Sequence, residues 1–126
     1  MARGKVGLGR RGEALAEAVL VQHGYHIAAR NWRCPQGEMD LIAHKHGEWF
    51  FFEVRTRRGK RYGTPEASLT PQKRARVETV ARHYLGEHLP NADVLWHLGF
   101  VAVEMDRQGH VLRITVYPDL GGEPLC

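Results

Sequence analysis

Two apolar runs, Met39-Asp40-Leu41-Ile42-Ala43 and Trp49-Phe50-Phe51-Phe52-Glu53-Val54, stand on either side of His46-Gly47. Segments this short and this rich in aromatic and branched residues favour strands, and three consecutive phenylalanines demand burial on both faces. A chain containing them is expected to fold around a central hairpin, residues 39–44 and 49–55, that is covered from two sides. The remaining sequence must supply that cover. Over residues 11–23, Leu15, Ala18, Val19 and Gln22 recur at helical spacing and Gly24 provides a stop. Tyr25, Ile27 and Ala29 alternate as a strand, with residues 31–37 read as a loop. Thr70-Pro71 is an N-cap followed by proline at the first helical position, and Val77, Val80, Ala81, Tyr84 and Leu85 then form an apolar stripe ending near Gly86. Two last strands, residues 94–105 and 110–117, flank the turn at 106–109. The expected order is αβββαββ, an α/β domain with a mixed sheet of about five strands and two flanking helices.

At 126 residues, with 43% hydrophobic and 25% charged residues, the chain has the size and balance of one globular domain, residues 1–126. No segment approaches the roughly 18 unbroken apolar residues of a membrane helix. The basic N-terminus lacks the apolar run of a secretory signal, so a cytoplasmic protein with no membrane partner is expected. Cys34 and Cys126 are too few for a disulfide scaffold and have no paired zinc spacing; they read as reduced and incidental. Charge is unevenly placed: residues 1–76 carry 15 basic and 7 acidic side chains, residues 77–126 carry 3 and 7. A concentrated positive region suits a polyanion such as nucleic acid, although charge runs are more often solvated faces.

A two-residue loop at His46-Gly47 sets Lys45 against Glu48, and counting outward sets Asp40 against Glu53 and Glu38 against Arg55. Side chains directly opposite have Cβ atoms about 4.5–5.5 Å apart, where like charges destabilise unless compensated. A divalent cation compensates them. The period of two places Glu38, Asp40, Glu53 and Arg55 on one face, with Met39, Leu41, Phe52 and Val54 on the other. Two hard-oxygen ligands suit Mg²⁺ or Mn²⁺, which would acidify a water for attack on a phosphodiester while Arg55 stabilises charge on the phosphate. The alternative is that loop length misassigns the register, and Glu38 and Arg55 form a plain cross-strand ion pair. His44 and His46 span a turn and lack further ligands at fixed spacing, so zinc is not expected. Gly7-Leu8-Gly9 is too short for a phosphate loop.

Gly37-Glu38-Met39-Asp40-Leu41-Ile42 followed by Phe51-Phe52-Glu53-Val54-Arg55-Thr56-Arg57 resembles the paired signature of the YraN family, UPF0102, GE(I/M)DLI and FxEV(K/R)xR. Gly12-Glu13, Tyr62-Gly63-Thr64-Pro65 and Lys73 extend the resemblance over most of the chain. It implies a restriction-endonuclease-like PD-(D/E)XK core similar to archaeal Holliday-junction resolvases. Asp40 and Glu53 are then metal ligands, with the main-chain carbonyl of Val54 a third. Arg55 stands at the superfamily's lysine position. His97-Leu98-Gly99-Phe100 departs from the relatives' Arg-Phe-Asp-Val, so their acid is missing at Gly99. Since such resolvases act as dimers, a homodimer is one expectation.

Glu13 opens the first helix, where an acid favours the macrodipole; in similar nucleases an acid here reaches the metal. Lys73 lies about 40° from Val77 on an ideal helix, either aimed at substrate phosphate or covering the core edge with its stem. Residues 55–61 contain five basic side chains in seven. Arg57, Arg58, Lys60 and Arg61 are expected to contact phosphates, with Tyr62 stacking on an unpaired base. No recognition-helix or zinc-finger pattern appears, so binding is expected to follow nucleic-acid structure rather than base sequence. Two functions compete: a metal-dependent endonuclease acting on branched or flapped DNA, and a nucleic-acid-binding module without catalysis, which Arg55 and Gly99 would favour. An adaptor using its sheet edge to contact another protein has no specific sequence support.

Overall fold

The computed structural model describes residues 2–59 and 63–125, with side chains described from residue 7 onward. Its elements run α1 (Ala2–Gln22), β1 (His26–Cys34), β2 (Gly37–Lys45), β3 (Glu48–Arg58), a 3₁₀ turn (Glu66–Ser68), α2 (Pro71–His88), β4 (Trp96–Met105) and β5 (Val111–Tyr117). The strands form one sheet in chain order, antiparallel except for the parallel pair β3–β4. A parallel pair needs a crossover, and α2 supplies it. The expected order αβββαββ is the observed one. Among the described residues no helix is long and apolar enough to cross a membrane.

The hairpin behaves as its turn chemistry requires. His46 and Gly47 take φ of 53° and 78°, the two left-handed residues of a type I′ turn whose twist matches the strands. From Lys45↔Glu48 the pairing runs without a slip to Leu41↔Phe52. Phe51 and Phe52 are completely buried on opposite faces. Phe52, Leu41 and Ala43 pack with Ala16 and Leu20 of α1. Phe51 and Ile42 pack with Val77, Val80 and Ala81 of α2.

Helix α1 starts well before residue 11, so Glu13 lies in mid-helix, not in the first turn where the macrodipole would favour it. Leu8 joins the α1-side core and extends the stripe one turn towards the N-terminus. Gly12 permits close approach to the sheet, since an added Cβ would overlap the Thr56 hydroxyl. Residues 31–34 are not a loop, because β1 continues through them, paired Trp32↔Met39 and Arg33↔Glu38. Asn31 interrupts that run with φ of 49°, a conformation asparagine tolerates better than most side chains. Across from it the alternation of β2 also breaks: Met39 packs on the α2 side with Ile42, not with Leu41 and Phe52.

At the other departure from the expected pattern, Gly99 pairs with Phe52 in the parallel ladder. A Cβ at Gly99 would lie 2.7 Å from the Phe52 ring and 2.7 Å from the Tyr117 carbonyl oxygen. Position 99 therefore serves sheet packing in this chain.

Candidate functional site

The ladder between β2 and β3 ends at Leu41↔Phe52, one step before Asp40 and Glu53. Beyond that point Asp40 replaces the ladder with its side chain, its Oδ2 accepting from the Val54 backbone N–H at 2.7 Å. In a strand the N–H and C=O of one residue lie on the same edge, so the Val54 carbonyl also faces the opened side. Asp40 and Glu53 are 8% and 9% exposed. Two carboxylates are thus buried where the hairpin splits.

Their electrostatics are unfavourable when they stand alone. Burial, followed by the facing Glu53 carboxylate, pushes the Asp40 carboxyl well above the usual carboxylate range, and the Val54 N–H and Arg55 only partly oppose this. Arg55 donates to Glu53 Oε2 at 2.9 Å from the same strand face. It does not pair with Glu38, which instead meets Arg33 of β1 at 3.2 Å. The expected Glu38–Arg55 pair is lost because β2 has left β3 before Glu38 is reached.

Glu38, Asp40, Glu53, Arg55 and Lys73 nevertheless line one cavity of about 370 Å³, together with Gly37, Arg76 and Val77. Lys73 arrives there because Thr70 caps α2, its hydroxyl accepting from the Lys73 N–H at 3.2 Å, which fixes the first turn over the split. Glu13 approaches from α1 and lines adjoining hollows with Arg57 and Arg58 on one side and with Asn31 and Arg33 on the other. Burial and then Asp40 push its carboxyl up, while Asn31 pulls it down.

Asn31 is the residue that the sequence did not single out. With its amide nitrogen turned inward it donates to Glu38 Oε2 at 3.0 Å and to Glu13 Oε1 at 3.1 Å. The signal available was an asparagine within an otherwise alternating segment. Arg57 lines the hollow beside Arg55, with its Nε buried and unpartnered among the described residues, and Arg58 donates to the Arg107 carbonyl at 3.0 Å. Lys60, Arg61 and Tyr62 lie outside the described residues.

Two buried carboxylates, a main-chain carbonyl on the same edge and an adjacent guanidinium are a hard-oxygen donor set suited to a divalent cation that keeps several waters. Among the described residues no three His, Cys, Asp or Glu side chains converge to hold a metal unaided, so waters or substrate oxygens would complete its coordination.

Fold and site together define a mixed α/β protein with a buried acidic pair at the split end of its central hairpin, roofed by the first turn of a crossover helix. Comparison with known proteins places it further. The chain belongs to the uncharacterised protein family UPF0102, whose family model matches residues 12–113. It is 43% identical over 108 residues to a UPF0102 protein of Moorella thermoacetica, covering 86% of this chain and 89% of that one. A Roseiflexus castenholzii relative is 37% identical over 111 residues, covering 88% and 90%. One from Caldicellulosiruptor bescii is 34% identical over 112 residues, covering 89% and 94%.

Proposed function

We propose that this protein is a metal-dependent endonuclease of the PD-(D/E)XK kind that hydrolyses phosphodiesters in structured nucleic acid, DNA with a branch or a single-stranded flap. The observation that carries the reading is the burial of Asp40 and Glu53 side by side where the β2–β3 ladder opens, because such a pair is costly unless a cation is held there. Mg²⁺ or Mn²⁺, when bound, supplies the positive charge that acidifies water and stabilises a phosphate under attack. Asp40 and Glu53 hold it, and the Val54 carbonyl faces the same space. Arg55, tethered by Glu53, is oriented to stabilise charge on the scissile phosphate; as a guanidinium it does not act as the base. Lys73 meets the phosphate from the α2 side. Glu13 and Glu38, bridged by Asn31, extend the acidic wall. Arg57 and Arg58 offer phosphate contacts where the strand leaves the site.

A binding module without catalysis is the second reading, supported by the Arg55–Glu53 ion pair, which partly neutralises a required ligand. Incubation with branched, flapped and linear DNA in Mg²⁺ or Mn²⁺ separates the two. Cleavage lost in chelator and in Asp40→Ala supports the nuclease. Salt-sensitive binding without turnover supports the module, and cleavage persisting in Asp40→Ala removes the assigned centre.

A further inference from the structure

Three hollows run into one another across the site. The central one contains the carboxylate pair and shares Arg55 and Lys73 with a hollow leading to Arg57 and Arg58. On its other side it shares Glu38 and Arg76 with a shallow hollow bounded by Arg33. The carboxylates therefore sit midway along a groove that has arginines at both ends. A site built for a mononucleotide or a chain terminus needs only one such arm.

We propose that Arg33 and Arg76 form a second phosphate-binding arm, so that a polynucleotide strand passes through the groove with phosphates held on both sides of the carboxylate pair. This rests on the nucleic-acid reading above and names the substrate as an internal stretch of strand. Arg33 projects from β1, 79% exposed, beside the turn into β2, and its only ion pair among the described residues is with Glu38 at 3.2 Å. An exposed pair of this kind contributes little and a phosphate readily displaces it. Arg76 lies one turn beyond Lys73 on α2 and faces the same hollow. Guanidinium forks match phosphate oxygens in pairs, so two of them across a shallow groove form a backbone contact that reads no base. Glu38 stands between this arm and the centre, keeping phosphate on the arginines and making the arm independent of metal.

The test measures binding of a fluorescein-labelled oligothymidylate by anisotropy, in chelator, across a salt series. For single strands each phosphate contact contributes about 0.7 to the slope of log K against log salt. Replacing both residues, Arg33→Gln with Arg76→Gln, is expected to reduce that slope by about 1.4 and to weaken binding at least about tenfold at low salt. Arg30→Gln with Arg82→Gln removes equal charge away from the three hollows, at arginines paired with Glu17 and Glu78, and is expected to leave the slope unchanged. Thermal melting confirms that both variants fold. A parental slope in the first variant, while Arg57→Gln with Arg58→Gln lowers it, overturns the second arm and leaves the nucleic-acid reading intact. An equal loss in the charge-matched control overturns it as well. Failure of the parent to bind at low salt overturns both.

Discussion

Two acid–base clusters flank the sheet of this protein, and they are built on opposite principles. Around Glu66, in the 3₁₀ turn, every oxygen is satisfied: Arg113 donates at 2.7 and 3.0 Å and the Tyr117 hydroxyl at 2.8 Å. Arg113 in turn reaches Glu104 at 3.1 Å and Thr115 at 2.7 Å. The bidentate guanidinium holds the Glu66 carboxyl down at about 2. Around Asp40 the balance runs the other way, because among the described residues two buried acids share one guanidinium and a single backbone donor. The first cluster fastens the loop after β3 to β5. The second holds two acids together in a cavity, where burial and mutual repulsion favour uptake of a proton, a cost that a bound cation would relieve.

Substitutions in the two clusters should therefore have opposite consequences. The largest effect is expected from Asp40→Ala, which should lower the proposed metal-dependent phosphodiester cleavage by more than about 100-fold, exceeding the usual cost of losing a mere supporting contact; steady-state assays in Mn²⁺ check it. Glu66→Ala should leave the carboxylate pair intact but loosen the loop leading to Thr70 and Lys73. Both Glu66 and Arg113 are about a third exposed, so screening limits the loss to about 1–2 kcal/mol, or about 3–8 °C in melting temperature. Asp40→Asn should do the reverse in chelator, raising stability by about 1 kcal/mol, because the amide still accepts from Val54 while the cost of burying an ionisable acid beside Glu53 is gone. Mn²⁺ is expected to raise the melting temperature of the parent, and the same variant should lose that stabilisation. If Asp40→Asn destabilises the metal-free protein, the contrast between the clusters fails.

The smallest effect concerns acid stability. A carboxyl whose folded pKa is depressed contributes stability above its unfolded value of 4.5. That contribution is lost as pH falls through the folded value of about 2. Glu66→Gln should thus flatten the decline between pH 4.5 and 2 and show the parent's slope at neutral pH, as urea midpoints across that range would reveal.

Much of this arrangement was legible in local chemistry. His46-Gly47 specified a two-residue turn, the turn specified the register, and the register brought Asp40 to Glu53. The Thr70-Pro71 cap placed Lys73 at the start of a helix whose stripe was visible in Val77, Val80 and Ala81. What local chemistry missed lies where strands part. Counting outward from the turn assumes that pairing continues, yet β2 leaves β3 after Leu41, so Glu38 meets Arg33 and Met39 turns to the α2 side. The extension of β1 through residues 31–34 was hidden because Asn31 and the polar residues around it resemble a loop until an adjacent strand supplies their partners.

By itself, then, the sequence determined the hairpin, its turn, the capped crossover helix and the proximity of two acids, since each is set within a single hairpin or a single helix. Only the tertiary structure decided that the ladder opens at those acids, that Asn31 bridges Glu13 and Glu38, and that α1 and α2 close over the split. Those contacts join segments distant in the chain, and which of them forms is settled by how two helices share the two faces of one twisted sheet.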